Sequence, residues 1–245
     1  MTIAFRIEEV ATIDSTNDGL RLRAAAGEPE GLVLCADAQT AGRGRRGRGW
    51  SSPPGNLYVS LLLRPGCAPA LGATIGFVMA IALGTVLRPL TPLPVLHKWP
   101  NDLLIGGAKV TGVLLEASTG ADGELDWLVL GMGVNIVSHP DGGLHPATDL
   151  VASGGPALAP QDLLRRFLTE FGPAYDTWAR SGFGALRPAW LAHAAGVGDR
   201  VVARLEREEV AGRFADLDPD GTLVMALEGG RQRRIAAGDV FFPNL

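Results

Sequence analysis

Lysine is nearly missing from this chain. It has two, Lys98 and Lys109, among 22 basic residues, so twenty are arginine (22 − 2). Most positive surface charge is therefore arginine, and the two lysines stand out as candidates for work that needs a compact point charge. Cysteine is equally scarce: Cys35 and Cys67 make no disulfide framework, and a reducing cytoplasm is the expected setting. A basic balance is also lacking. With 22 basic against 26 acidic residues the net charge is −4, so a general nucleic-acid binder is disfavoured and any basic site must be focal. Residues 1–6, Met-Thr-Ile-Ala-Phe-Arg, lack the apolar core and cleavage site of a signal peptide. The uncharged run over residues 68–87 is long enough for a membrane span, but it contains Pro69, Thr74 and three glycines and has no aromatic belt. It reads as a buried helix, and no membrane partner is expected.

The positive charge that is present collects in one place. The nine residues from Ala41 to Gly49 hold four arginines and four glycines, and Trp50 follows. Glycine permits positive φ and close backbone approach, while guanidinium forks orient a phosphate or carboxylate, so the stretch suits an anion clamp. It is not a Walker loop, since no Gly-Lys-Ser/Thr follows, nor a dinucleotide fingerprint, since no helical pattern follows. Strand-like patterns over 31–37 and 56–63 tether it at both ends.

Elsewhere the pattern alternates strands and helices. Residues 5–13 read as a strand, and Asp14-Ser15-Thr16-Asn17-Asp18 as a capping cluster for a helix ending near Gly27. A helix over 71–87 is broken by the prolines of 89–94. Strand, turn and strand follow over 95–116, carrying both lysines, Asn101, Asp102 and Glu116. Another strand enters Gly131-Met132-Gly133-Val134-Asn135, whose alternate glycines leave one face bare. A loop is expected over 139–155 and a helix over 160–178. From about residue 196 five short segments, over 200–206, 209–217, 222–228, 231–236 and 239–242, suggest a small barrel.

Singly these pieces decide nothing. Their order does: Ser15-Thr16-Asn17, then Gly42-Arg43-Gly44-Arg45-Arg46-Gly47-Arg48 with Trp50, then Lys98-Trp99-Pro100-Asn101-Asp102, then Gly107-x-Lys109-x-x-Gly112-x-Leu114-x-Glu116, then Gly131-x-Gly133-x-Asn135. The series resembles the biotin protein ligases over nearly the whole chain, in the form without an N-terminal DNA-binding domain. The resemblance implies an α+β fold, with a catalytic domain of the class II aminoacyl-tRNA synthetase/biotin ligase-like kind over residues 1–193. That domain would be a mixed sheet with helices on its face, followed by a small SH3-like β-barrel over 194–245.

It also implies an activity. Biotin and ATP would give biotinyl-5′-adenylate and pyrophosphate, and biotin would then pass to a lysine of a biotin carboxyl carrier domain with release of AMP. By the same resemblance Lys109 and Arg45 are the catalytic cations. Ser15, Thr16, Asn17, Gln39, Gly42, Arg43, Gly131 and Gly133 join them around biotin, the glycines leaving room for its flat bicycle. Arg45, Arg46, Arg48, Trp50, Lys98, Asn101, Asp102 and Asn135 fall on the ATP side, with Asp102 holding Mg2+ directly or through water. The loop is expected to be ordered by its ligands. A homodimer is possible, and no DNA partner is expected. Three positions depart from the family's pattern: Asp18 stands where an amide is expected, Ala108 where a basic residue is common, and Asp149 where a serine is expected. Rival readings are a lipoate-attaching relative and a non-catalytic nucleic-acid binder.

Overall fold

The computed structural model describes residues 3–142 and 146–242. Residues 143–145, inside the loop expected over 139–155, lie outside the described residues, as do 1 and 2 at the end read for a signal peptide. The larger unit is a seven-stranded sheet built from β1 (Arg6–Ile13), β2 (Leu32–Gln39), β3 (Leu57–Leu63), β4 (Val95–Lys98), β5 (Asp102–Ile105), β6 (Ala108–Thr119) and β7 (Leu125–Val134). Its strand order is β1-β2-β3-β7-β6-β5-β4. Only β1 and β2 run parallel, because the helix α1 (Thr16–Ala25) crosses between them; every other neighbour is antiparallel.

Helices cover both faces of this sheet. Alternation along β2 and β3 sends Val33, Cys35, Val59, Leu61 and Leu63 to one side, into a core shared with α3 (Ile75–Leu87) and α4 (Pro160–Ser181). Leu32, Leu34 and Leu62 point the other way, where they pack on Leu20 and Ala24 of α1. α1 is too short to cover its whole face. The glycine-bearing end of β6 and β7 is left for the site.

The helix expected over 71–87 is two: α2 (Pro69–Gly72) stops before α3 begins. Thr74 sits at the joint, its hydroxyl donating to the Leu71 carbonyl at 2.6 Å while Trp178 of α4 donates to it at 2.7 Å. α3 is buried nearly all round, which accounts for a run apolar enough to look like a membrane span. α4 runs to Ser181 before Gly182, at φ 69°, turns the chain out of the helix.

After the short helix α5 (Arg187–Leu191) come β8 (Arg200–Arg204), β9 (Glu209–Leu217), β10 (Leu223–Ala226), β11 (Gln232–Ile235) and β12 (Asp239–Phe241). They form a five-stranded antiparallel sheet in the order β11-β10-β9-β8-β12. Gly221, at φ 81°, closes the β9–β10 turn, and its carbonyl accepts the Trp99 indole N–H at 3.0 Å. Phe77 stacks on Phe183 and meets Trp190 edge-on, so aromatic packing continues past α3 toward the chain's last quarter. The smaller sheet is thereby held against the end of the larger one where the arginine loop lies.

Candidate active site

The site grows from one row of the sheet. Asp102, Gly112, Gly133 and Tyr58 are direct cross-strand partners, so their side-chain directions share a face. Strict alternation would put Lys109 on the opposite face from Gly112, three positions on. A bulge between β5 and β6 removes the conflict: Leu103 pairs with Thr111 and Leu104 with Lys109, so Val110 is extra. Lys109 thus joins the face of Asp102 and reaches it at 2.8 Å. The Trp50 indole lies over the bare glycines, and a Cβ at Gly133 would come within 2.4 Å of its Nε1, one at Gly112 within 2.9 Å of its ring. Lys109 Nζ stands 5.5 Å from the indole's centre, within cation–π range.

Trp50, Asp102, Lys109, Gly112 and Gly133 line a cavity of about 340 Å³. At one end stand Ser15, Thr16 and Asn17, the cap and first turn of α1. The Gln39 side-chain carbonyl accepts from the Thr16 N–H at 2.9 Å and from its hydroxyl at 3.2 Å. Ser60 Oγ, fully buried in the apolar strand β3, lies 2.8 Å from Thr16 Oγ1 and 2.6 Å from Asn17 Oδ1. Asn17 Nδ2 donates to Glu116 at 2.9 Å. The result is a fixed set of hydroxyl and amide donors and acceptors at this end, suited to a small polar ring.

At the other end lies the arginine loop, folded as a closed hairpin: Trp50 N–H donates to Gly42 C=O at 2.9 Å and Gly44 N–H to Arg48 C=O at 2.7 Å. Its tip turns through Arg46 at φ 57°, the left-handed region that side chains avoid. Carboxylates hold it from two sides. Arg43 donates to Asp18 at 2.6 Å and to Glu116 at 2.9 Å, so Asp18, unexpected in the sequence, serves as an anchor for the loop. Arg45 donates to Asn101 Oδ1 at 2.9 Å, while Asn101 Nδ2 donates to the Val113 carbonyl at 2.5 Å. Asp239 of β12 stands 3.7, 3.3 and 3.6 Å from the guanidinium groups of Arg45, Arg46 and Arg48.

The field around these groups is strong. Burial lowers the Arg45 guanidinium below its ordinary range, and Asp239 and Asp102 pull back against that. Lys98, buried at the end of β4, is lowered to about 8, chiefly by desolvation and only partly offset by Asp102. Among the described residues no three His, Cys, Asp or Glu side chains converge on a metal position.

Residues 9–135 match the biotin/lipoate A/B protein ligase family, and residues 196–242 the biotin protein ligase C-terminal domain. The biotin–[acetyl-CoA-carboxylase] ligase of Paracoccus denitrificans is 37% identical over 95% of this chain and 99% of its own. The chain belongs to the biotin/lipoate A/B protein ligase family. The ligase of the same name from Mycobacterium tuberculosis is 32% identical, over 96% of this chain and 88% of its own. Among solved structures, the biotin protein ligase from Aquifex aeolicus in complex with biotin and ATP superposes with a TM-score of 0.82 at 26% identity, covering 96% of this chain and 97% of that one.

Of the residues singled out in the sequence, Ser15, Thr16, Asn17, Gln39, Arg43, Arg45, Arg48, Trp50, Asn101, Asp102, Lys109, Gly131, Gly133 and Asn135 line this cavity. Gly42, Arg46 and Lys98 do not. Gly42 is packed under the loop, where a Cβ would lie 2.5 Å from the Trp50 carbonyl; Arg46 turns to Asp239; Lys98 lies under the Phe241 ring. The two β7 glycines also make room for side chains of the protein itself. A Cβ at Gly131 would lie 1.9 Å from Asn17 Oδ1, and Gly133 accommodates Trp50, so the protein's own side chains come close against both positions on the cavity wall. Asp149, the third departure, accepts from the Ala152 N–H at 2.6 Å and pairs with His139 at 2.7 Å, which fixes the turn after the cavity wall.

Three groups escaped the sequence reading. Ser60 carries a weak signal, a lone hydroxyl inside Leu57–Leu63. Gly112 stood in a motif but was given no role. Asp239 had no signal at all, since only the packing of one sheet against the other brings it to the loop.

Proposed function

We propose that the chain is an ATP-dependent biotin protein ligase that makes biotinyl-5′-adenylate and transfers biotin to a lysine of a biotin carboxyl carrier domain. The observation that carries this reading is the cavity's polarity: uncharged donors and acceptors at the α1 end, Lys109, Arg45 and Asn101 toward the loop, and near-bare backbone between them. In the first step a carboxylate oxygen of biotin attacks the α-phosphorus, the P–O bond to the β-phosphate breaks, and pyrophosphate leaves. Two anions must approach, and Lys109 and Arg45 supply fixed cations between them. Thr16, Gln39 and Asn17 hold the ureido ring, and Arg48 assists at the phosphates. Trp50 roofs the reacting centre and keeps water from the mixed anhydride. In the second step a neutral lysine amine attacks the acyl carbon, the C–O bond breaks, and AMP leaves.

Asp102 fits Mg2+ in a limited sense: it is a hard carboxylate on the cavity wall, and Mg2+ in nucleotide sites takes one or two carboxylates with phosphates and water. When bound, the ion would neutralise phosphate charge. The division at residues 193 and 194 and a cytoplasmic setting belong to the same reading, supported by the second sheet starting at Arg200 and by two unpaired cysteines. The experiment is biotin-dependent exchange of labelled pyrophosphate into ATP with Mg2+ and no carrier. Exchange with lipoate and not biotin would move the chain to the sister activity, and silence with both would refute the reading.

A further inference from the structure

The arginines of the loop are not held alike. Arg43 is gripped at 2.6 and 2.9 Å by Asp18 and Glu116, distances ordinary for a charge-assisted hydrogen bond. Arg45, Arg46 and Arg48 share one carboxylate, Asp239, at the longer distances of 3.3 to 3.7 Å, Arg45 bonding Asn101 at 2.9 Å as well. Asp239 is itself largely enclosed, with 13% of its side chain exposed, and it lines the cavity. Its cross-strand partner Arg204 does not engage it, because Arg204 bonds Glu209 at 2.6 Å and lies over the Phe241 ring. The carboxylate thus faces three guanidinium groups of the loop, with the buried Lys98 ammonium also lying within its field. It stands where a polyphosphate would have to collect the same guanidinium groups.

We propose that Asp239 is a positioning residue that holds Arg45, Arg46 and Arg48 in a loose, exchangeable grip and competes with the nucleotide's phosphates for them. This inference rests on the ligase reading. Arg43 fixes the first half of the loop to α1, while the second half passes from the carboxylate of the C-terminal sheet to the phosphates. One anion shared by three cations leaves local positive charge to attract ATP, yet restrains side chains that would otherwise repel one another. Arg46 has a left-handed backbone, which persists only where surroundings hold it, and its guanidinium ends on Asp239.

The test is the ATP dependence of pyrophosphate exchange in the full chain and in the Asp239→Asn and Asp239→Glu variants. Removing the competing charge should lower KM for ATP three- to tenfold with KM for biotin unchanged. It should also speed trypsin cleavage after Arg45, Arg46 and Arg48 in the protein without nucleotide. Glutamate should restore both. A KM for ATP that is unchanged or raised in Asp239→Asn overturns the proposal, the second result placing the carboxylate on the nucleotide's side. If the wild type exchanges nothing, the ligase reading fails instead. Trypsin still reads the grip, and equal cutting of wild type and Asp239→Asn would overturn it.

Discussion

Replacing Lys109 by alanine is the sharpest test of the proposed chemistry. Lys109 Nζ lies 2.8 Å from Asp102, its side chain is 25% exposed, and the Trp50 ring stands over it. The medium is therefore neither water nor a dry interior. At an effective dielectric near 20, a unit charge about 4 Å from a developing anion is worth about 4 kcal/mol. Discounted for the open quarter of the side chain, about 3–4 kcal/mol remains, or a loss of about 100- to 1000-fold in the adenylation rate, the range seen when one preorganised donor is removed. The loss should fall mainly on kcat, because the charge is needed most where carboxylate and phosphate meet. Single-turnover formation of adenylate, read by quenching and chromatography, separates it from product release. Folding should suffer little: Asp102 loses a partner beside an accessible cavity, so a shift in Tm of a few degrees is the ceiling, at about 2–4 °C per kcal/mol for a chain of this size. Adenylation within threefold of wild type in a folded Lys109→Ala protein would refute the reasoning.

Arg45→Gly should release the adenylate at least tenfold faster, since it removes a half-enclosed cation bonded to Asn101; retention through rapid gel filtration measures this, and unchanged retention counts against it. Gly133→Ala places a methyl group 2.4 Å from the Trp50 indole, an overpacking worth about 1–3 kcal/mol, so KM for biotin should rise about 5- to 150-fold. A KM within twofold of wild type would show that the slot tolerates a side chain. His97 is fully buried, its Nδ1–H donates to the Trp190 carbonyl at 3.0 Å, and burial lowers it to about 4 from 6.5. Below pH 6.5 the unfolded chain binds a proton that the folded one refuses. Stability is thus complete above pH 6.5 and falls between 6.5 and 4, by at most about 3 kcal/mol. Urea midpoints at pH 7 and 5 should diverge more for wild type than for His97→Gln, and equal divergence would sink the assignment.

How much of this could be read from the chain depends on the range of the interactions involved. The arginine loop was legible because composition alone creates it: four guanidinium groups among four glycines have few other uses. Strand and helix order followed from local period, and Ser15 was visible as a cap because capping acts over three residues, from its Oγ to the Asp18 N–H. The split at Thr74 was not visible, since a threonine hydroxyl turning back on Leu71 and taking Trp178 from a hundred residues away leaves no mark on hydropathy.

The direction of Lys109 shows where local reasoning gives out. Its spacing from Gly112 assigns it to the wrong face, and only the extra residue at Val110 restores it, a feature fixed by pairing with β5 and by the Asn135 N–H bonding the Val110 carbonyl at 2.9 Å. The part played by Gly131 and Gly133 is only half legible for a related reason. Bare backbone announces that something lies against it, but sequence does not say whether that is a ligand or the protein's own Asn17 and Trp50. With the indole seated on Gly112 and Gly133 and facing Lys109, the roof over the reacting centre depends on two strands and one loop at once. A change in any of them should therefore alter water exclusion before it alters folding, and hydrolysis of the adenylate without carrier is the quantity that would register it first.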